Sequence, residues 1–172
     1  MIRLEWQAIG PGEGHEAGRS LLARMYREYR GQEMPEIVLE ERGKPRFAED
    51  PLCFSVTHTP RHVFCAISEK PIGIDAEEMD REINPKLAEK ILSPSEMIRY
   101  EAAADKRAAL LRLWVLKEAA AKLSGEGLRG YPKHTDFSPQ DPRILELDGC
   151  YVAVLQMQNA ECKMAVFPPE MY

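Results

Sequence analysis

The segment from Asp105 to Gly125 constrains the fold most, because it predicts one long helix between regions of strand-like sequence. Asp105 is a typical N-cap residue, the helix is expected to run through Leu123, and Gly125 is a typical helix stop. Short apolar runs that suit β-strands lie on both sides of this segment. The sequence therefore predicts a mixed α+β fold.

The remaining elements predict two similarly built halves, one over residues 1–70 and one over residues 71–172. In the first half we expect strands over residues 2–9, 37–40, 52–58 and 62–68, and a helix over residues 13–30. In the second half we expect a strand over residues 72–75, helices over residues 85–92 and 94–104, the long helix, and strands over residues 143–147, 151–157 and 162–167. Gly43-Lys44-Pro45 is read as a break in the chain, and Thr59-Pro60-Arg61 as a hairpin turn. The order strand, helix, strands occurs once in each half, and the halves meet near residues 69–76.

Composition and charge limit the classes of function. Hydrophobic residues make up 44% of the 172 residues, which is enough to build a core. The net charge of -5 argues against a nucleic-acid-binding protein, since these are usually basic. No apolar run is long enough to span a membrane, and residues 1–10 do not resemble a secretory signal. Four cysteines without redox-type spacing predict reduced thiols and a cytoplasmic protein.

Two acidic residues, Asp75 and Glu77, close the strand expected over residues 72–75. Side chains two residues apart on a strand point to the same face, so both carboxylates can converge on one cation. Oxygen ligands of this kind suit Mg²⁺, which keeps water or substrate phosphates in the rest of its shell. Taken alone, the same pair also fits a solvated strand end.

The long helix carries a second group of candidate residues. Trp114, Glu118 and Lys122 follow one another at intervals of four, so they lie on one face of the helix. The acid could bind a cation and the lysine a phosphate oxygen. Taken alone, Glu118 and Lys122 also fit an exposed ion pair.

Together these segments resemble the signature of the 4'-phosphopantetheinyl transferase superfamily. The match joins Ile72-Gly73-Ile74-Asp75-Ala76-Glu77 to Trp114-Val115-Leu116-Lys117-Glu118-Ala119-Ala120-Ala121-Lys122. Four further segments are similar to the surfactin-synthetase-activating branch. They are Gly43-Lys44-Pro45, Phe54-Ser55-Val56-Thr57-His58-Thr59, Leu92-Ser93-Pro94-Ser95-Glu96 and Gly125-Glu126-Gly127-Leu128.

The resemblance implies roles for individual residues. Asp75, Glu77 and Glu118 would bind Mg²⁺ together with the diphosphate of coenzyme A. Lys122 and His58, with Thr57 beside it, would contact the phosphates. Lys44, Arg19 and Ser20 would contact the nucleotide. Glu96 is a candidate for deprotonating the acceptor serine, and Glu118 or a water on the metal are the alternatives.

The resemblance also implies a fold and a reaction. The fold is a pseudo-dimer of two α+β halves with the site between them. The reaction is Mg²⁺-dependent transfer of 4'-phosphopantetheine from coenzyme A to a serine of an apo carrier protein, which releases adenosine 3',5'-bisphosphate. The chain would act as a monomer, without nucleic acid or membrane. Thr57 stands where the family usually has serine, and an early basic helix that touches the 3'-phosphate has no counterpart here. A non-catalytic coenzyme A or carrier-protein binder of the same fold is the alternative.

Two further interpretations concern other residues. Cys53, His58, His62 and Cys65 have spacings that superficially fit a zinc site, although buried strand cysteines explain them better. A surface for the carrier is expected to combine basic and apolar side chains on the helices that follow residue 84. The candidates are Lys86, Lys90, Ile91, Met97, Ile98, Arg99 and Lys106.

Overall fold

The structure is a computed structural model that describes residues 1–127, 134–157 and 164–167. Leu128 and Cys162, which belong to two of the sequence predictions, lie outside these residues. The first elements are β1 (Ile2–Ala8), α1 (Gly14–Arg30), β2 (Ile37–Leu39), β3 (Pro45–Phe47), β4 (Cys53–His58) and β5 (His62–Ser68). They are followed by β6 (Ile72–Glu78), α2 (Leu87–Ile91), α3 (Pro94–Glu101), α4 (Lys106–Ser124), β7 (Ile144–Leu147), β8 (Cys150–Gln156) and β9 (Met164–Phe167).

The strands form three sheets, and the predicted α+β class is confirmed. One sheet has the order β4-β5-β1-β9, a second has the order β6-β8-β7, and β2 pairs with β3 in a small hairpin. Strand β9 runs parallel to β1 and pairs Ile2 with Met164, so the chain returns to the first sheet at its end. The boundary at residue 70 and the pseudo-dimeric relation of the halves stay predictions.

The two larger sheets pack face to face, and one helix covers the outer side of each. Alternate residues of β1 and β5, such as Leu4 and Phe64, form a core with Ile74 and Val152 of the opposite sheet. The other face of β5 packs against α1 through residues such as Cys65 and Met25. Helix α4 closes the outer side of the second sheet with a core of its own. The resulting order of layers is helix, sheet, sheet, helix.

Local signals explain why most predicted elements form. The side chain of Asp105 accepts a hydrogen bond from the Ala108 amide at the start of α4, and Gly125 ends this helix with φ 73°. The predicted hairpin of β4 and β5 is confirmed, with His58 paired with Val63. Strand β3 was missed, because Gly43-Lys44-Pro45 was read only as a break. Gly43 has φ 85° and forms the turn between β2 and β3 instead.

Strand β6 is longer than expected, and this corrects the position of the two acids. The strand was predicted to end at Asp75, but it continues to Glu78, paired along its whole length with β8. Asp75 and Glu77 therefore lie inside a strand and share the face opposite to Ile74 and Ala76, which pack between the sheets.

Gly73 brings this face of β6 close to helix α4. A β-carbon at residue 73 would lie 2.2 Å from the carbonyl oxygen of Ala119 and 2.5 Å from the amide nitrogen of Leu123. Only glycine permits this approach of two backbones. Asp75 is thereby held beside the last turns of α4.

Among the described residues, no helix combines the length and the apolar character that crossing a membrane requires.

Candidate functional site

A cleft of about 750 Å³ separates the elements of the first half from β6 and α4. Asp75 and Glu77 from β6 line it, and Trp114, Glu118 and Lys122 from α4 line it from the other side. Thr57 and His58 at the end of β4 and Arg19 on α1 complete the wall that the first half contributes. The face of α4 predicted from the interval of four is therefore the face that borders the cleft.

Asp75 is buried and carries two hydrogen bonds. Its Oδ1 accepts from Thr57 Oγ1 at 3.0 Å and from Lys122 Nζ at 2.8 Å. Burial raises the pKa of the Asp75 carboxyl, and the charge of Lys122 opposes that shift. A side chain from each half thus meets this carboxylate.

Glu77 is held by two donors. Trp114 Nε1 donates to its Oε1 at 3.2 Å, and Arg81 forms an ion pair with the same oxygen. The indole therefore orients the carboxylate from α4, and the guanidinium neutralises it from the turn that follows β6.

Glu118 has a different environment from the other two acids. The structure gives it no hydrogen-bond or ion-pair partner among the described residues, although it is half buried. Burial, with a smaller contribution from the nearby Asp75 charge, raises the pKa of Glu118 to about 7. Its carboxylate is thus the one in the cleft that is open to a new partner within the described chain.

The three acids offer the oxygen ligands that Mg²⁺ prefers, and they line one cleft. They do not form a preformed metal site, because the described residues contain no group of three or more His, Cys, Asp or Glu side chains placed to hold a metal ion. Two of the three carboxylates are occupied instead by Lys122 and Arg81. The donor set fits the ion, and the ion would have to compete with two internal cations.

Lys44 lies in an adjoining pocket of about 290 Å³ that shares Val56, Glu118 and Lys122 with the cleft. Its Nζ donates to the carbonyl oxygen of Leu123 at 2.8 Å, and burial lowers the pKa of the amine. Lys44 therefore ties the β2–β3 hairpin to the end of α4.

Known proteins resemble this chain over the segments that build the cleft. The sequence model of the 4'-phosphopantetheinyl transferase superfamily matches residues 71–152, which include Asp75, Glu77, Glu118 and Lys122. The matched segment is just under half of the chain, which is similar there to the 4'-phosphopantetheinyl transferase superfamily.

Individual relatives in this superfamily agree with the match. The 4'-phosphopantetheinyl transferase gsp of Aneurinibacillus migulanus is 36% identical over 77% of this chain and 52% of its own length. The 4'-phosphopantetheinyl transferase HetI of Nostoc sp. is 29% identical over 87% of this chain and 68% of its own length. The 4'-phosphopantetheinyl transferase Sfp of Bacillus subtilis is 29% identical over 64% of this chain and 49% of its own length. The chain thus spans about half of gsp and of Sfp.

The residues that the resemblance implies for the nucleotide and the phosphates do not all reach the cleft. His58 is exposed and meets the His15 ring edge-on at 5.4 Å between ring centres. Arg19 lines the cleft, whereas Ser20, its neighbour on α1, is exposed and does not line it. The structure therefore brings Arg19, Thr57 and His58 together and leaves Ser20 outside.

Glu96 is not brought to the cleft, which corrects its proposed place beside the acceptor serine. It is fully buried, and its Oε2 pairs with Lys117 Nζ at 2.7 Å and accepts from the Ser93 amide at 2.8 Å. Its Oε1 accepts from the Phe137 amide at 2.9 Å. The pair with Lys117 joins α3 to α4, the bond from Ser93 caps α3, and the bond from Phe137 ties α3 to the segment before β7.

The candidate zinc ligands do not converge either. Cys65 is fully buried under α1, and burial raises the pKa of its thiol. His62 Nε2 contacts Asp148 at 3.1 Å, and its Nδ1 lies 3.6 Å from Cys150 Sγ. His58 turns instead towards His15. Within the described part of the chain, these side chains contact different residues and form no shared metal site.

The expected carrier surface also needs correction. Ile91 is buried in the core beneath α4, and Met97 is partly buried against it, whereas Ile98 is 72% exposed. Arg99 pairs with Asp136, and Lys106 pairs with Glu101. Lys86 and Lys90 stay exposed.

Sequence reasoning missed Arg81 and His15, which line the cleft beside the predicted residues. Arg81 lies four residues after Glu77, and a basic residue at that distance from a predicted metal ligand was the available signal. His15 carried no signal, because only the packing of α1 against β4 brings it next to His58.

Proposed function

We propose that this protein transfers the 4'-phosphopantetheine group of coenzyme A to a serine hydroxyl of an apo carrier protein. The observation that supports the proposal best is the meeting of Asp75, Glu77, Glu118 and Lys122, from two distant segments, in one cleft. The serine oxygen would form a bond to the β-phosphorus, and the bond from that phosphorus to the oxygen bridging the two phosphates would break. Adenosine 3',5'-bisphosphate would leave with that oxygen.

Mg²⁺ is part of the proposal. Asp75, Glu77 and Glu118 would hold it, and when bound it would shield the charge of the diphosphate. Lys122, which now neutralises Asp75, would then be free to stabilise the leaving phosphate. His58 and Arg19 would add donors at the opposite wall of the cleft.

Glu118 is the carboxylate that we propose as acceptor of the serine proton. Glu96 is buried and paired with Lys117, and the side chains of Asp75 and Glu77 each accept from two side-chain donors. Glu118 lacks a hydrogen-bond partner among the described residues and faces the cleft. A base must come within hydrogen-bond reach of the proton, and this position allows it.

The orientation of coenzyme A follows from the two connected pockets. The adenosine end would lie beside Lys44 and Gly125, and the diphosphate would lie between Lys122 and His58. Lys44 and Arg19 would contact the 3'-phosphate. We further propose a cytoplasmic monomer that acts on acidic carriers without nucleic acid or membrane.

The test is transfer to an apo carrier protein followed by mass spectrometry. With coenzyme A and Mg²⁺, the wild-type protein should add one phosphopantetheine group to the carrier. Glu118→Gln should reduce the rate by at least about a hundredfold, since it removes a base and a metal ligand together. Circular dichroism should show an unchanged fold. Glu33→Gln, an exposed acid paired with Arg27, is the matched control and should retain full activity.

Three outcomes would count against parts of this proposal. No transfer by the wild-type protein to any of several carriers, together with retained coenzyme A binding, would favour the non-catalytic binder. Equal activity of Glu118→Gln would remove Glu118 from the reaction. Loss of activity in Glu33→Gln as well would point to a general effect of charge.

A further inference from the structure

Arg81 occupies a position that neither the sequence motifs nor the proposed reaction uses. It lies in the turn after β6 and lines both the cleft and a neighbouring pocket of about 910 Å³. Its guanidinium pairs with the carboxylate of Glu77, one of the three acids proposed to bind Mg²⁺. A positive side chain is thus placed on a proposed metal ligand.

The charges around this pair are partly balanced without a metal ion. Lys122 pairs with Asp75 and Arg81 pairs with Glu77, so two of the three carboxylates already have a cation of the protein beside them. A divalent cation that binds these carboxylates has to compete with a cation of the protein at Asp75 Oδ1 and at Glu77 Oε1. Lys122 has a role in the proposed reaction after displacement, whereas Arg81 has none that the reaction requires.

We propose that Arg81 is a displaceable counter-ion, which holds Glu77 in the metal-free protein and leaves it when a divalent cation binds. The inference rests on the proposed function only in the identity of the metal ligands. Its consequence is that Arg81 weakens the affinity of the free protein for Mg²⁺.

The side chain of Arg81 is less constrained than that of Glu77, so Arg81 is the partner that moves when the pair opens. The Arg81 side chain is 45% exposed and that of Glu77 is 14% exposed. Glu77 is fixed within β6 and also accepts from Trp114 Nε1 at 3.2 Å. Within the described part of the chain, the Arg81 guanidinium pairs with Glu77, and an open pocket lies beside it. The guanidinium can therefore swing out while the carboxylate stays in place.

The test compares the Mg²⁺ affinity of wild-type protein with that of Arg81→Met, which keeps the length of the side chain and removes the charge. Isothermal titration calorimetry gives the dissociation constants, and the fluorescence of Trp114 offers a second readout because the indole touches Glu77. Arg81→Met should bind Mg²⁺ about threefold to tenfold more tightly, since a partly exposed ion pair no longer competes.

Two further variants sharpen the comparison. Arg81→Lys keeps the charge but loses the planar fork, so its affinity should lie between those of the wild type and Arg81→Met. Arg27→Gln removes an exposed arginine that pairs with Glu33 on another face and should leave the affinity unchanged. This control corrects for the general effect of one positive charge on a protein of net charge -5.

Each result has a defined meaning. Equal or weaker binding by Arg81→Met would overturn the inference, as would the absence of Mg²⁺ binding in both proteins. Binding by Arg81→Met alone would support it in its strongest form. Failure of the proposed function would be recognised separately, as tighter Mg²⁺ binding by Arg81→Met in a protein that transfers nothing to any carrier.

Discussion

At the scale of single residues, the acids of this protein show how surroundings give one side-chain type different roles. Burial and the charge of Asp75 raise the pKa of Glu118, whereas Glu96 is fixed by Lys117 and two backbone amides. A sequence motif names both residues and does not distinguish them. Only the packing around each carboxylate shows which one faces the cleft.

Asp50 illustrates the opposite shift and gives a prediction on acid stability. Arg30 donates two hydrogen bonds to its carboxylate, at 2.8 and 2.7 Å, and Tyr26 donates a third at 2.7 Å. These bonds lower the pKa of Asp50 to about 2. Since the folded-state pKa lies below that of the unfolded chain, the stabilisation is complete above about pH 4 and is lost as the pH falls towards 2.

Asp50→Asn should therefore lower the free energy of unfolding by about 1–2 kcal/mol at pH 6. The difference from the wild-type protein should shrink as the pH falls below 4. Urea unfolding of both proteins at several pH values measures it. A difference that stays constant from pH 6 to pH 2.5 would contradict the assigned pKa shift.

At the scale of elements, the close approach of β6 to α4 holds the site together. Gly73→Ala should destabilise the protein by about 2–3 kcal/mol, because the new β-carbon would overlap the backbone of Ala119 and Leu123. It should also reduce transfer in the protein that remains folded, because Asp75 would move away from Lys122. Thermal unfolding and the transfer assay measure the two effects.

Gly10→Ala is the matched control for this prediction. Its β-carbon would meet only the flexible Glu13 side chain, at 3.0 Å or more, so a loss well below that of Gly73→Ala is expected. Equal stability of the two variants would show that the approach of β6 to α4 is looser than described.

The buried pair of Glu96 and Lys117 links α3 to α4 and predicts strong coupling. Glu96→Gln should cost about 3–5 kcal/mol, because it leaves the buried charge of Lys117 without its carboxylate. The double variant Glu96→Gln and Lys117→Met should recover part of that loss. Chemical unfolding in a double-mutant cycle measures the coupling, and additive effects would contradict it.

An exposed pair serves as the comparison. Glu101→Gln removes the partner of Lys106, and both side chains are about half exposed. It should change the free energy of unfolding by less than about 1 kcal/mol.

Most elements could be predicted from local signals, and the exceptions have physical reasons. The caps Asp105 and Gly125 fix α4, and the apolar runs around residues 59–61 fix the hairpin. The length of β6 depends on its pairing with β8, which is distant in the sequence, so the strand was expected only over residues 72–75, with Asp75 and Glu77 at its close. The burial of Ile91 depends on α4 and could not be read from its own short helix.

At the scale of the whole molecule, two sheets packed face to face place the candidate site at the contact between the two halves. Thr57 lies on β4 and Asp75 lies on β6, and their side chains form a hydrogen bond although the two strands belong to different sheets. The resemblance to the superfamily implied the roles of the carboxylates and Lys122, whereas their spacing alone also fitted a solvated strand end and an exposed ion pair. Neither the resemblance nor the spacing could predict that Arg81 and Lys122 occupy two of the carboxylates, because that depends on where side chains meet in the folded chain.

The central claim is that Asp75, Glu77 and Glu118 bind one divalent cation together with the diphosphate of coenzyme A. A crystal structure of the protein with coenzyme A and Mn²⁺ in place of Mg²⁺ tests it most directly, because anomalous scattering locates the metal. We predict one anomalous peak in the cleft, contacted by oxygens of all three side chains and of the diphosphate. A peak elsewhere, or a diphosphate bound away from Lys122 and Glu118, would contradict this account.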